Sequence, residues 1–195
     1  MILVAALGDS IVAGSPYWDP DPLVRERIGD SLDPESQWEH WAALADPRLS
    51  FRNCGVYGER TDEIARRLDA AAADADVLIV QGGINDIAQR RDVERAADNL
   101  HTLVRRARAL VPAVAVANVL PWNGGWPRAE APIRRLNTLI AELAAAEGIP
   151  VLPFHETLES PDAPGRMRPE WTSDGDHPSV EGYRRLGELA FKLPG

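Results

Sequence analysis

The feature that most constrains the fold is a run of apolar residues at the start of the chain, Ile2 to Leu7, which has no polar alternation and stops at Gly8. A strand with one face in water alternates, whereas a strand covered on both faces does not. The same signature returns at Val114 to Val119, and shorter apolar stretches occur at Leu49 to Asn53, Val77 to Val80 and Ile149 to Pro153. Helical periods fill the gaps. Thr61 is the expected N-cap of one helix, with Asp62 and Glu63 in its first turn and Ile64, Leu68 and Ala71 or Ala72 along one face. Asp92 is the expected cap of a longer one, striped by Val93, Ala96, Ala97, Leu100, Leu103, Val104, Ala107 and Leu110 and ended by Pro112. Ile133, Leu136, Ile140 and Leu143 precede Gly148, a residue suited to terminate a helix, and Val180, Tyr183, Leu186 and Ala190 line a last one.

Strands alternating with helices imply parallel strands joined by right-handed crossovers, which is a three-layer α/β/α sandwich. The length of 195 residues suits a single domain over 1–195. The stretch from Ser15 to Pro34 stands apart: it is rich in Pro and Asp, has no period, and precedes a short helical segment from Gln37 to Ala45. Long loops of this kind in compact domains are usually functional or mobile.

Composition narrows the partners. A net charge of −9 with dispersed Lys and Arg argues against nucleic acid, which needs a basic surface. A single cysteine, Cys54, permits neither an intrachain disulfide nor a cysteine metal cluster. The apolar start lacks a basic flank and is too short for a signal segment, and no stretch has the length of a membrane span. The expectation is a soluble, cytoplasmic protein without a stable membrane anchor, acting on a small molecule; oligomeric state is left open.

In an open parallel sheet, ligands bind beyond the carboxyl ends of the strands. The residues at those ends are Gly8-Asp9-Ser10, then Asn53 through Glu59, then Gly82-Gly83-Ile84-Asn85-Asp86, and, before the last helix, Asp174-Gly175-Asp176-His177-Pro178. Acyl transfer by serine needs a hydroxyl, a base, a group to orient the base, and donors for the oxyanion. Ser10 supplies the hydroxyl and His177 the base. Asp174 lies three residues before His177, and Gly175 allows the tight turn that would bring its carboxylate to the imidazole. Backbone N–H groups of Ser10 and Gly58 and the side-chain amide of Asn85 can serve as donors. Asp176 competes with Asp174 but can instead cap the last helix; Gly55 competes with Gly58, either being able to serve as a turn glycine. Asp9 and Asp86 read as structural acceptors on the rim.

Taken in order, Gly8-Asp9-Ser10, Gly58, Gly83-Ile84-Asn85-Asp86 and Asp174-Gly175-Asp176-His177 resemble the sequence blocks of the SGNH (GDSL-like) hydrolases. The resemblance covers residues 8 to 177. It implies a flavodoxin-like five-stranded sheet of order 2-1-3-4-5 and a serine esterase with Ser10, Asp174 and His177 as triad. Ser10, Gly58 and Asn85 would form the oxyanion hole, with no metal and no cofactor. The implied substrate is a small carboxylic ester: a short-chain acyl ester, an acetylated sugar, a lysophospholipid or a thioester. An acyltransferase would use the same triad, and a binding module could occupy the same scaffold without turnover. A metal-dependent phosphoesterase using the rim acids is a further rival, separable by a chelator.

Other candidates are weaker. His155 has no acidic residue three positions before it, and His40 and His101 fall in helical patterns. Asp74 and Asp76 precede their strand and should lie on the opposite rim. Trp122 and Trp126, in the Gly-rich stretch Pro121 to Pro127, either wall the cleft as substrate contacts or pack that loop onto the sheet. Trp18, Trp38 and Trp41 either cover the other side of the cleft or are core, and Trp171 fits either role.

Overall fold

The computed structural model describes residues 1–126 and 128–194. Its main sheet has five parallel strands: β1 (Ile2–Gly8), β2 (Leu49–Gly55), β3 (Val77–Val80), β4 (Ala113–Ala117) and β5 (Val151–Leu152), in the order β2-β1-β3-β4-β5. β1 pairs with β2 along its whole length, from Ile2 opposite Leu49 to Gly8 opposite Gly55, and with β3 from Val4 to Leu7. The expected α/β/α sandwich of order 2-1-3-4-5 is what the chain forms. β5 is shorter than its apolar run, for Pro150 has no N–H and the Ile149 N–H is taken by the Ala144 carbonyl at the end of the preceding helix.

Because both faces of the sheet are covered, alternate residues feed two cores. Ala5, Leu7, Leu78, Val80, Val114 and Val116 pack on one side beneath α4 (Thr61–Ile64), α5 (Leu68–Ala72), α7 (Val93–Ala107) and α8 (Glu130–Glu147). Val4, Ala6, Ile79, Ala115 and Ala117 face the other way, beneath α1 (Ser10–Ala13), α3 (Trp38–Ala45), α9 (Phe154–Leu158) and α10 (Val180–Arg185). Trp38, fully buried, forms the centre of that second layer, 5.5 to 5.6 Å from the rings of Phe51, Phe154 and Phe191. It is core, not cleft wall.

The path after β1 leads into the second layer, whereas α6 (Ile84–Ala88), which follows β3, places Ile87 in the first. Adjacent strands thus send their chains to opposite faces. The crevice this opens above β1 and β3 is where a ligand can sit.

Several local expectations are corrected. α4 begins at Thr61 with Arg60 in the cap position, because the Thr61 N–H and hydroxyl are both committed to Asp86. α7 is capped by Asp92 as expected but ends at Ala107, leaving Leu110 half exposed. The stretch after Ser15 contains α2 (Pro22–Ile28), capped by Asp21; none of its residues is buried, so it carries no apolar period. A small antiparallel pair, β6 (Glu159–Ser160) and β7 (Ala163–Met167), was illegible because Pro164 and Gly165 interrupt it. α8 ends at Gly148 with φ +64°, as expected.

Candidate active site

Strand β1 ends in a buried carboxylate. Asp9 is fully buried and accepts the N–H of Ile11 at 3.0 Å, which starts α1 at once and sets Ser10 in its first position. Burial pushes the Asp9 carboxyl up to about 6, against the opposing effects of the Ile11 N–H, the Gln81 amide and the charge of His177. Ser10 is itself buried, with its hydroxyl 3.1 Å from Nε2 of His177.

His177 comes from the far end of the chain on a loop tied to itself. Gly175, at φ +88°, turns the loop, and its N–H donates to the Thr172 hydroxyl, which in turn donates to the His177 carbonyl. Within that turn Asp174 uses both oxygens. Oδ1 accepts the N–H groups of Asp176 and His177 at 2.8 and 2.7 Å, and Oδ2 faces His177 Nδ1 at 2.8 Å. Burial raises this carboxyl, but those hydrogen bonds and the histidine outweigh it and hold Asp174 below the usual carboxylate range. Three side chains separated by up to 167 residues thus stand in one line: carboxylate, imidazole, hydroxyl.

Asp176 does other work. It accepts the Trp122 indole N–H at 2.7 Å, while the last helix is capped by Ser179, not by Asp176. The N–H groups of Asn123 and Gly124 both donate to the Gly175 carbonyl at 2.9 Å, so the loop after β4 is stapled to the histidine loop.

Asn85, the second residue of α6, donates its amide to the Glu59 carbonyl at 2.9 Å. The two glycines in question separate cleanly. A Cβ on Gly55 would collide with the Ala13 nitrogen, so that glycine is required by the packing of β2 against α1. Gly58 has φ +79° and open space where a Cβ would point, between Tyr57 and the Glu59 that binds Asn85. Among the described residues, neither the Gly58 N–H nor the Ser10 N–H has an acceptor.

Ser10, Asn85 and His177 line one cleft of about 220 Å³. Ile11, Tyr57, Ile84, Ala88, Trp122 and Asp176 complete its wall. Trp126 packs edge-on against Trp122, their rings 5.4 Å apart, and is not part of the wall; Pro127 beside it lies outside the described residues. Trp171 is buried beneath Arg168 and Arg185. Trp41 donates its indole N–H to the Glu35 carbonyl, and Trp18 lies under Arg25.

Sequence reasoning missed two contributors. Tyr57 is exposed and lies tilted 30° to the His177 ring at 5.9 Å, with nothing in its local pattern to mark it. Arg67 pairs with Glu59 at 2.6 Å and donates to the carbonyls of Gly8 and Cys54, tying together the ends of β1 and β2. Its only signal was an arginine on a helix with acidic neighbours, which is ordinary. The rejected candidates lie elsewhere. His155 is buried against the Val119 carbonyl, His101 pairs with Glu147, His40 sits against Trp41, and Asp76 binds the Leu3 N–H at the opposite rim.

Among the described residues, no group of three or more His, Cys, Asp or Glu is arranged to hold a metal, and no helix is long and apolar enough to cross a membrane. The fold recurs in solved structures. A lipolytic protein of the G-D-S-L family from Desulfitobacterium hafniense superposes with a TM-score of 0.77 at 22% identity, covering 96% of this chain and 97% of that one. Another from Veillonella parvula gives 0.76 at 20%, covering 96% and 94%. An acetylxylan esterase from Geobacillus stearothermophilus gives 0.71 at 16%, covering 95% and 90%. No curated protein sequence matches. The profile of the GDSL-like Lipase/Acylhydrolase family, however, matches residues 6–185, a span that contains every side chain of the cleft. The chain therefore belongs to the GDSL-like lipase/acylhydrolase family and is a carboxylic ester hydrolase with a flavodoxin-like sheet.

Proposed function

We propose that the protein hydrolyses a carboxylic ester with a small acyl group by way of an acyl-enzyme on Ser10. The observation that carries this reading is the unbroken line from Asp174 Oδ2 through His177 to Ser10 Oγ, at 2.8 and 3.1 Å. His177 takes the hydroxyl proton at Nε2 as Ser10 Oγ bonds to the ester carbonyl carbon. Asp174, kept ionised, accepts the Nδ1–H and stabilises the imidazolium. The carbonyl oxygen becomes an oxyanion, for which the Ser10 N–H, the Gly58 N–H and the second amide hydrogen of Asn85 are the available donors. When the tetrahedral species collapses, the C–O bond to the alcohol breaks and the alcohol leaves with the proton from Nε2. A water molecule, deprotonated by the same histidine, then attacks the acyl-serine; the acid departs and Ser10 regains its proton.

Size supports a short acyl group. The cleft holds about 220 Å³, below the roughly 300–1,000 Å³ of pockets that enclose drug-sized ligands. Its apolar wall of Ile11, Ile84 and Ala88 suits a few methylenes at most.

The test is a series of p-nitrophenyl esters of increasing chain length, assayed with wild type and Ser10→Ala and run beside labelling with a fluorophosphonate. Acetate and butyrate should be turned over faster than octanoate or longer esters. Ser10→Ala should lose activity by at least roughly 10³-fold, together with the label. Equal rates for the two proteins would overturn the mechanism; a preference for long chains would overturn the acyl assignment.

A further inference from the structure

Beside the cleft lies a second hollow of about 470 Å³, and its charges are unequally spent. Its carboxylates already have partners. Asp86 accepts the Thr61 N–H and hydroxyl, Asp62 pairs with Arg60 and Arg66, and Asp92 caps α7 through the Arg95 N–H. Its arginines are another matter. Arg60 is engaged by Asp62, Glu63 and Gln89, but among the described residues the guanidinium groups of Arg90, Arg91 and Arg95 find no carboxylate and no hydrogen-bond acceptor. Four arginines against three carboxylates leave the lining with an excess of positive charge, and with three of those guanidinium groups unpaired among the described residues the hollow can take an anion.

Two features tie this hollow to the reaction. Helix α6 is a shared wall: Asn85 and Ala88 face the cleft, while Asp86 and, just past the helix end, Arg90 and Arg91 face the hollow. In addition, Arg90 holds a left-handed backbone, φ +56°, which is strained for an L-residue and which the N–H bonds of Arg90 to Ile87 and of Arg91 to Asp86 maintain. Its guanidinium lies 5.4 Å from the Trp126 ring, and Trp126 packs against the Trp122 that lines the cleft.

We infer that the Arg90–Arg91–Arg95 hollow is an anion subsite that receives a phosphate or similar oxyanion, and that the ester carries this group on its alcohol side. The second half of this inference rests on the esterase reading; the first does not. Guanidinium groups bind oxyanions through paired N–H donors. A ligand reaching from Ser10 to the hollow must cross one helix, about 10 Å in diameter.

The experiment has two arms. In the first, inorganic phosphate is titrated calorimetrically at low ionic strength into wild type and into the Arg90→Gln/Arg95→Gln variant, whose exposed positions tolerate the change. Wild type should bind saturably, the variant at least roughly tenfold more weakly, and added salt should weaken the wild-type interaction. No saturable binding, or equal affinity in both proteins, overturns the subsite. In the second, acetate release is followed from hexyl acetate and 6-phosphohexyl acetate. A substrate-borne anion predicts a higher kcat/KM for the phosphorylated ester, and a ratio that falls at least roughly tenfold in the variant. An unchanged ratio beside lost phosphate binding assigns the hollow to a free anion and overturns the substrate half. If neither ester is cleaved, and Ser10→Ala is no different from wild type, the esterase reading fails while the titration still decides the hollow.

Discussion

Asp9 occupies an expensive position for a carboxylate, fully buried between the helix that carries Ser10 and Gln81. Its carboxyl is raised from 3.8 to about 6, a difference of about 3 kcal/mol. The folded protein binds that proton more tightly than the unfolded chain does. The Asp9 contribution therefore favours folding most at low pH and declines as pH rises from about 4 through about 6. Asp9→Asn keeps an oxygen for the Ile11 N–H and removes the buried charge. Urea denaturation should show the variant more stable than wild type by about 1–3 kcal/mol at pH 8, with the gap closing near pH 4. A gap of the same size at both values would mean that the carboxylate is not the cause. The charge is retained next to His177, whose positive form favours it. Stability is given up where the proposed chemistry makes an imidazolium.

At the scale of elements, the site depends on how closely two strand ends approach the short helix that carries Ser10. β2 ends at Gly55, where a Cβ would collide with the Ala13 nitrogen, and Asn53 reaches the Val12 carbonyl at 2.6 Å. Gly55→Ala should therefore push α1 away from β2. Expected together are a loss of about 1–3 kcal/mol in denaturant unfolding and a fall of at least roughly tenfold in kcat/KM on p-nitrophenyl acetate. Unchanged kinetics would show that α1 is not held by this contact. The elements legible in the sequence were those with a burial pattern or a cap. β1, β3, α7 and α8 follow from uninterrupted apolar runs, from Asp92 and from Gly148. The wholly unburied α2 and the Pro- and Gly-containing β7 had no such signal. Ser10, Asn85, Asp174 and His177 were legible because reactive side chains stood just beyond apolar runs or on a glycine-turned loop. Tyr57 and Arg67 were not, since their roles come from pairings across the chain, with His177 and with Glu59.

Across the whole molecule, a single sheet serves two cores, so neither helical layer can be lost while the other keeps its floor. If the chain unfolds as the single expected domain, urea unfolding followed by tryptophan fluorescence and by far-ultraviolet circular dichroism should give coincident transitions. Trp38→Ala empties the centre of the second layer, next to Phe51, Phe154 and Phe191. It should lower stability by about 3–5 kcal/mol and shift both probes together. Two separated transitions in the variant would show that the layers melt independently. The charge distribution belongs to this scale too: an acidic molecule repels anions in general, yet keeps one arginine-lined hollow beside its cleft.

The link between Ser10 and His177 joins residues 167 positions apart. A nascent chain leaves the ribosome with Ser10 long before His177. Under the proposed mechanism, a nascent chain gains hydrolytic capacity only after residue 177 has been made and has folded back onto Ser10.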